Sequence, residues 1–321
     1  MNGAKVVFSG VRKFSTLAAV FAILFSGVLN LTIGNENLGW QVALAIFALA
    51  IGIPHGAVDH LVALPKTSRP RLALLIIGYV LIAIAAVLAI LHWNKLGFQL
   101  VLAMSALHFG FGDAAFIAEQ DRLENRTRMR PKVQNMFAIT SGIVPVFIPL
   151  LKGSTKSALQ EINPVLINWA SDIEPQIKFL VGFFFVLTLI LLVKDNRTRE
   201  FIDLIFLAGL AIVAPPLIAF AVYFGCWHAM RHTARLTLLL PKSITAASDN
   251  RPKKSFLTAV LPGLPALFGT VVVAVAIAIT DTNLDASYLW YLLVVVWALT
   301  VPHMIVTSKI DQRSNNHVWD C

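Results

Sequence analysis

Long apolar runs, each about the length of a bilayer-spanning helix, fill most of this chain and are separated by short polar breaks. A hydrocarbon core takes about 20 helical residues. Runs of that class lie at 15–33, 41–63, 72–91, 97–118, 134–151, 176–193, 217–240, 257–279 and 287–307. A shorter run, 201–214, stops at Pro215-Pro216, a pair that ends or kinks a helix. Charge decides whether it counts. The breaks at 64–71, 119–133, 194–200 and 241–256 are basic, as are both termini, whereas 34–40 and 280–286 are acidic. Lys and Arg collect on the cytoplasmic side. Ten spans with both ends inside place every basic break in the cytoplasm; nine would put the Lys242, Arg251, Lys253 and Lys254 cluster outside. The pattern therefore predicts an all-α, polytopic integral membrane bundle of about ten transmembrane helices with both termini cytoplasmic. No repeat and no linker divides it, so one domain over 1–321 is expected. Lys5, Arg12 and Lys13 ahead of the first run resemble a signal peptide, yet no small-residue cleavage site follows, and a retained first helix is expected.

Composition agrees. The chain has 321 residues, 57% of them hydrophobic and only 13% charged, against about 25% charged in a soluble domain. The net charge of +9 follows the loop pattern and implies no nucleic-acid partner. Cys226 and Cys321 lie far apart and make neither a disulfide framework nor a thiolate metal site. There is no phosphate-binding loop, dinucleotide fingerprint or serine elbow.

What the apolar pattern does not explain is its histidines. Six of the eight lie in or at the edge of predicted spans: Pro54-His55-Gly56-Ala57-Val58-Asp59-His60, Leu107-His108-Phe109-Gly110, Trp227-His228-Ala229-Met230-Arg231-His232 and Pro302-His303. Histidine is costly in a membrane and marks a functional site. The four clusters fall on spans that all run from outside to inside, at overlapping depth, so their side chains can converge on one buried metal. His228 and His232, four apart, share a helical face; the alternative is two imidazoles hydrogen-bonded to neighbouring helices. His108 stands alone, and its place at the same depth joins it to the set. His55 and Asp59 have the same four-residue spacing, which predicts that Asp59 accepts the His55 proton and fixes its tautomer. Arg231 is a second partner for Asp59; Asp113 and a lipid headgroup are others for Arg231. His60 is turned about 140° from His55, and His303 lies near the cytoplasmic end of its span, so both are expected outside the inner ligand set. His92 and His317 sit at a span end and in the tail, away from any site. Imidazoles suit iron, zinc, copper or nickel, and carboxylates for magnesium or calcium are lacking.

These motifs, in this order from 54 to 303, resemble the Brp/Blh family of bacterial and archaeal β-carotene 15,15'-dioxygenases. The first and third motifs are specific; the second and fourth are weak alone. The resemblance implies an inner-membrane, non-haem Fe(II) enzyme that cleaves the central double bond of β-carotene with O2 into two retinals. It implies four histidine ligands, which map onto His55, His108, His228 and His232; spacing and depth leave Asp59, His60 and His303 as candidates around that set. It also implies membrane lipid as the medium and a microbial rhodopsin as recipient of the retinal. Two other classes stand beside it. A membrane His-box hydroxylase or desaturase needs about eight histidines. A metal or proton transporter needs polar residues along a path across the bilayer, whereas here they form one layer with few acids. An opsin-like Schiff base is disfavoured, because no lysine lies mid-span in the last helices.

Overall fold

A computed structural model describes residues 2–32, 38–63, 68–280 and 287–316, and every regular element among them is helical. In chain order these are α1 (Asn2–Thr32), α2 (Leu38–Gly56), α3 (Asp59–Ala63), α4 (Arg69–His92), α5 (Asn94–Glu124), α6 (Pro131–Leu150), α7 (Gly153–Ile162), α8 (Glu174–Lys194), α9 (Thr198–Val213), α10 (Pro216–Ala221), α11 (Met230–Leu236), α12 (Pro241–Ser248), α13 (Pro252–Val260), α14 (Leu264–Thr280) and α15 (Ser287–Asn316). Short 3-10 turns cover Pro164–Asn168 and Leu261–Gly263, and a π-helical stretch, Val222–Ala229, joins α10 to α11. The chain is a polytopic helical membrane protein. Among the described residues, seven helices are long and apolar enough to cross a bilayer: α1, α2 continuing through α3, α4, α5, α6, α8 and α15.

The other three expected spans fall on shorter or interrupted elements. Helix α9 has 16 residues and stops before Pro215-Pro216. The 217–240 run is broken by the π-helical stretch, and 257–279 by the turn Leu261–Gly263. Most of the acidic breaks 34–40 and 280–286 (residues 34–37 and 281–286), Lys66, and the tail with His317 lie outside the described residues.

Lipid as solvent shows in which side chains face outward. Leu74, Ile77, Leu81 and Leu88 of α4, and Phe179, Phe183 and Val186 of α8, are about half exposed or more. Such surfaces suit hydrocarbon, not water. Helix α5 is the opposite case: 67% of its apolar window is buried, against 11% for α4. It forms the centre of the bundle and packs most closely on α6. A Cβ on Gly110 would sit 1.7 Å from the Ala138 carbonyl oxygen, and one on Gly142 would sit 1.8 Å from that of Ala106. Small residues at both points let the two backbones touch.

Two boundaries differ from the sequence reading. Helix α1 starts at Asn2, so Arg12 lies inside a helix and not on a flank. Helix α5 runs on to Glu124, so Glu119 and Asp121 belong to it and not to a cytoplasmic loop. The cause is long-range pairing. Arg12 bonds Glu200 at 3.1 Å and Asp203 at 2.9 Å. Arg197 bonds Asp121 at 2.7 Å and Glu200 at 2.8 Å. Arg231 meets Asp203 at 3.2 Å and Asp113 at 3.6 Å, and Arg235 holds Glu119 at 3.1 Å and Asp311 at 2.6 Å. A second buried polar layer therefore exists, contrary to the expectation of one layer with few acids. Each of its acids has an arginine partner.

Candidate metal centre

The centre is assembled from four places in the chain. Pro54 lacks an N–H and weakens the end of α2, which stops at Gly56; a turn at Ala57 and Val58 then leads into α3 at Asp59. His55 is the last-turn residue of α2, 6% exposed. His108 lies in the buried part of α5, where its Nδ1 is 3.2 Å from the Thr307 hydroxyl of α15. His228 sits in the π-helical stretch and His232 one turn on, in α11; both are buried. Single-turn π segments recur at functional sites. His303 follows Pro302 in α15 and is 6% exposed.

The rotation of the His228/His232 segment has an anchor. Trp227 and Arg231, each one residue before a histidine, face away from the cluster. Trp227 Nε1 donates to Asp113 at 2.8 Å, and the Arg231 guanidinium lies 3.7 Å over the Trp227 ring and bonds Asp203. With that face fixed on α5 and α9, the histidine face turns inward.

All five imidazoles come together. Ring centroids of His55 stand 5.4 Å from His228, 5.0 Å from His232 and 5.2 Å from His303. His108 is 4.8 Å from His228, 5.0 Å from His303 and 6.4 Å from His232. The tightest donor set is His55, His108 and His228, whose ring nitrogens, one from each, all lie within 4.8 Å of one another. His55 Nδ1, His228 Nε2, both His232 nitrogens and His303 Nε2 are buried without a hydrogen-bond partner. Buried polar atoms are ordinarily satisfied, and an unpartnered ring nitrogen on each of His55, His228, His232 and His303 fits a transition-metal ion.

Two expectations are corrected here. Asp59 does not support His55. Its carboxylate lies 2.9 and 3.0 Å from His303 Nδ1 and 3.3 Å from the Tyr79 hydroxyl. The four-residue rule assumed a continuous helix from 55 to 59, and the break after Gly56 turns Asp59 elsewhere. Nor does Asp59 pair with Arg231, which belongs to the other polar layer. His303, expected apart from the set, packs among the rings. His60 does stay apart, with Nδ1 3.1 Å from the Ala57 carbonyl oxygen of its own turn. His92 packs on Trp93 at the end of α4, away from the cluster.

A cavity of about 340 Å³ opens at the histidines and reaches α4 and α15, with Ile76, Val80 and Leu299 in its wall. Ile76 and Val80 are also among the exposed outer side chains, so its rim meets the lipid-facing surface. A second apolar cavity, about 260 Å³, lies between α2, α5, α6 and α15. The two share Phe109, Phe224, Val296 and Thr300. Phe109 packs 4.4 Å from the His228 ring, so the partition stands beside the cluster. Tyr79, Thr307 and Phe224 were missed from sequence; Tyr79, a lone hydroxyl in the 72–91 run, is the one with a readable signal.

Fold and site together define a helical membrane protein with a buried, all-histidine metal-type centre beside an apolar, lipid-facing cavity. The sequence matches the beta-carotene 15,15'-dioxygenase family over residues 46–311, and the chain belongs to that family. It is 30% identical over 213 residues to a beta-carotene 15,15'-dioxygenase of an uncultured marine bacterium, covering 62% of this chain and 70% of that one. It is 24% identical over 300 residues to a probable beta-carotene 15,15'-dioxygenase Blh of Halobacterium salinarum, covering 83% and 82%. No solved structure matches.

Proposed function

We propose that the chain cleaves β-carotene at its central 15,15' double bond with O2, yielding two retinals, as a multi-pass enzyme of the cell membrane. The observation that carries this reading is the group of unpartnered buried imidazoles on the wall of an apolar cavity whose rim meets lipid, in a chain of this family. His55, His108, His228 and His232 would hold Fe(II). Bound iron(II) supplies the redox-active centre at which O2 is activated. The remaining work is the protein's. A carotene is nearly all hydrocarbon and enters from the bilayer past Ile76 and Val80. Phe109 and Phe224, packed at the histidines, offer flat faces to a polyene. The apolar wall excludes water from the reacting double bond. Central cleavage needs two arms of equal length on either side of the metal, and two cavities meeting at Phe109 and Phe224 supply room for both. Retinal leaves by the same rim toward a microbial rhodopsin. Ten spans with both termini cytoplasmic, folded as one unit over 1–321, is the matching topology.

The test is expression in cells that make β-carotene. Wild-type protein should bleach the cells and yield retinal, with iron in the purified chain. His55→Ala and His228→Ala should do neither. A membrane-inserted wild-type protein that yields no retinal, or that works without iron, refutes the reading.

A further inference from the structure

We propose that His303 is a fifth nitrogen donor to the metal, presented by Asp59. The proposal rests on the metal reading above and extends the four-histidine set that the family resemblance implies.

The geometry fixes which nitrogen does what. His303 Nδ1 lies 2.9 and 3.0 Å from the two carboxylate oxygens of Asp59. A carboxylate accepts, so Nδ1 carries the proton and donates, which leaves the lone pair on Nε2. That Nε2 is buried and has no partner. The ring stands 5.0 Å from His108, 5.2 Å from His55 and 5.6 Å from His232. Metal-bound histidines characteristically donate their other N–H to a carboxylate, which sets tautomer and orientation. His303 is the one member of the cluster with such a carboxylate among the described residues. His108 has a threonine hydroxyl in that place, and His55 Nδ1 and both nitrogens of His232 have nothing.

The surroundings are built to hold this pair. Asp59 is 5% exposed, and its Oδ2 also accepts from the Tyr79 hydroxyl at 3.3 Å. Gly56 leaves the space for the ring: a Cβ there would sit 3.3 Å from His303 Nδ1. The break between α2 and α3 thus does two things at once. It places His55 in the cluster and swings Asp59 behind His303.

A structural pair and a metal-presenting pair separate by measurement. The detergent-purified full-length chain is loaded with iron(II), and affinity is read by competition with a chromophoric chelator; the cobalt(II)-loaded chain gives a ligand-field spectrum. Neither readout requires turnover. His303→Ala should lose at least about 10–100-fold in affinity, the range for losing even an outer partner of a ligand, and its cobalt bands should shift. Asp59→Asn should lose affinity within that range. Unchanged cobalt bands with affinity within twofold of wild type in His303→Ala overturn the proposal, whatever happens to the melting temperature. Should His303→Ala fail to fold, Asp59→Asn decides: affinity within twofold of wild type overturns it. Wild-type protein that binds metal but cleaves no carotene sinks the proposed function and leaves this assignment standing. Wild-type protein that binds no metal sinks both.

Discussion

Replacing Asp203 with alanine should cripple the fold, although Asp203 itself bonds none of the histidines. Asp203 is 2% exposed, and its Oδ2 accepts from Arg12 Nη2 at 2.9 Å and Arg231 Nη2 at 3.2 Å. Arg12, Arg126, Arg197 and Arg231 there face Asp113, Asp121, Glu200 and Asp203, four cations against four anions. Removing one anion leaves a net buried positive charge, shared by two guanidiniums that have lost an acceptor. Breaking a buried pair from one side costs about 3–5 kcal/mol. Asp203→Asn keeps an oxygen acceptor without the charge and should lie between alanine and wild type. Asp203→Leu combined with Arg231→Met removes one charge of each sign. That pair should cost less than the sum of the single changes by about 0.5–3 kcal/mol, the range for residues in one network. Thermal unfolding in detergent reads wild type, the two Asp203 variants above, the Asp203→Leu and Arg231→Met singles, and the double. The reasoning fails if Asp203→Ala melts as wild type, or if the double variant is as unstable as the summed singles.

Four further outcomes are expected. His55→Ala, His108→Ala and His228→Ala should each weaken iron binding by more than about 10–100-fold; a variant that keeps full iron affinity removes its residue from the ligand set. His60→Ala should bind iron as wild type and lose only about 1 kcal/mol for its bond to the Ala57 carbonyl; iron loss in the folded variant would place His60 in the centre. Ala45→Trp, filling the second cavity from α2, should lower kcat/KM for β-carotene with iron content unchanged; unaltered turnover means that no substrate arm lies there. Gly110→Leu should force α5 off α6, since even a Cβ would stand 1.7 Å from the Ala138 carbonyl oxygen; overpacking costs about 1–3 kcal/mol or more, and a wild-type melting curve would refute the close contact.

The helical membrane architecture and the identity of the histidines were legible because both are local signals. A run of apolar residues reads as a span wherever it packs, and an imidazole inside one is conspicuous whatever it touches. Faces and partners were less legible. His228 and His232 both bring their rings to the cluster, with centroids 6.1 Å apart, although the backbone there is partly π-helical. The four-residue rule failed for His55 and Asp59 because α2 stops at Gly56, between the two. His303 looked peripheral because its depth was read along one helix, while its neighbours come from α2, α5 and α11. The arginine layer was invisible for the same reason: Glu119, Asp121 and Glu200 sit in stretches that read as basic loops until α1, α5 and α9 are laid side by side.

The two buried polar layers differ in a way that separates structure from function. In the arginine layer every acid meets a guanidinium, so the cost of burying charge is offset within the layer. Even the four atoms there without a hydrogen bond face an opposite charge, Arg231 Nη1 with Asp113 Oδ1 at 3.6 Å and Arg126 Nη1 with Asp121 Oδ1 at 3.3 Å. In the histidine layer His303 Nδ1 has Asp59 and His108 Nδ1 has Thr307, whereas among the described residues His55 Nδ1, His228 Nε2, both His232 nitrogens and His303 Nε2 have no hydrogen-bond partner and no opposite charge is paired with them. A fold that tolerates unpaired donors and acceptors at one locus, and pairs them a turn or two away, is spending stability there for a purpose. The Trp227/Arg231 and His228/His232 pairs show both kinds on one helical segment. Offset by a single residue, the first closes the ionic layer and the second faces the open cluster. Rotating that segment would exchange the two, which is why the anchoring of Arg231 to Asp203 and of Trp227 to Asp113 is a condition for the histidine cluster and not an independent feature of the fold.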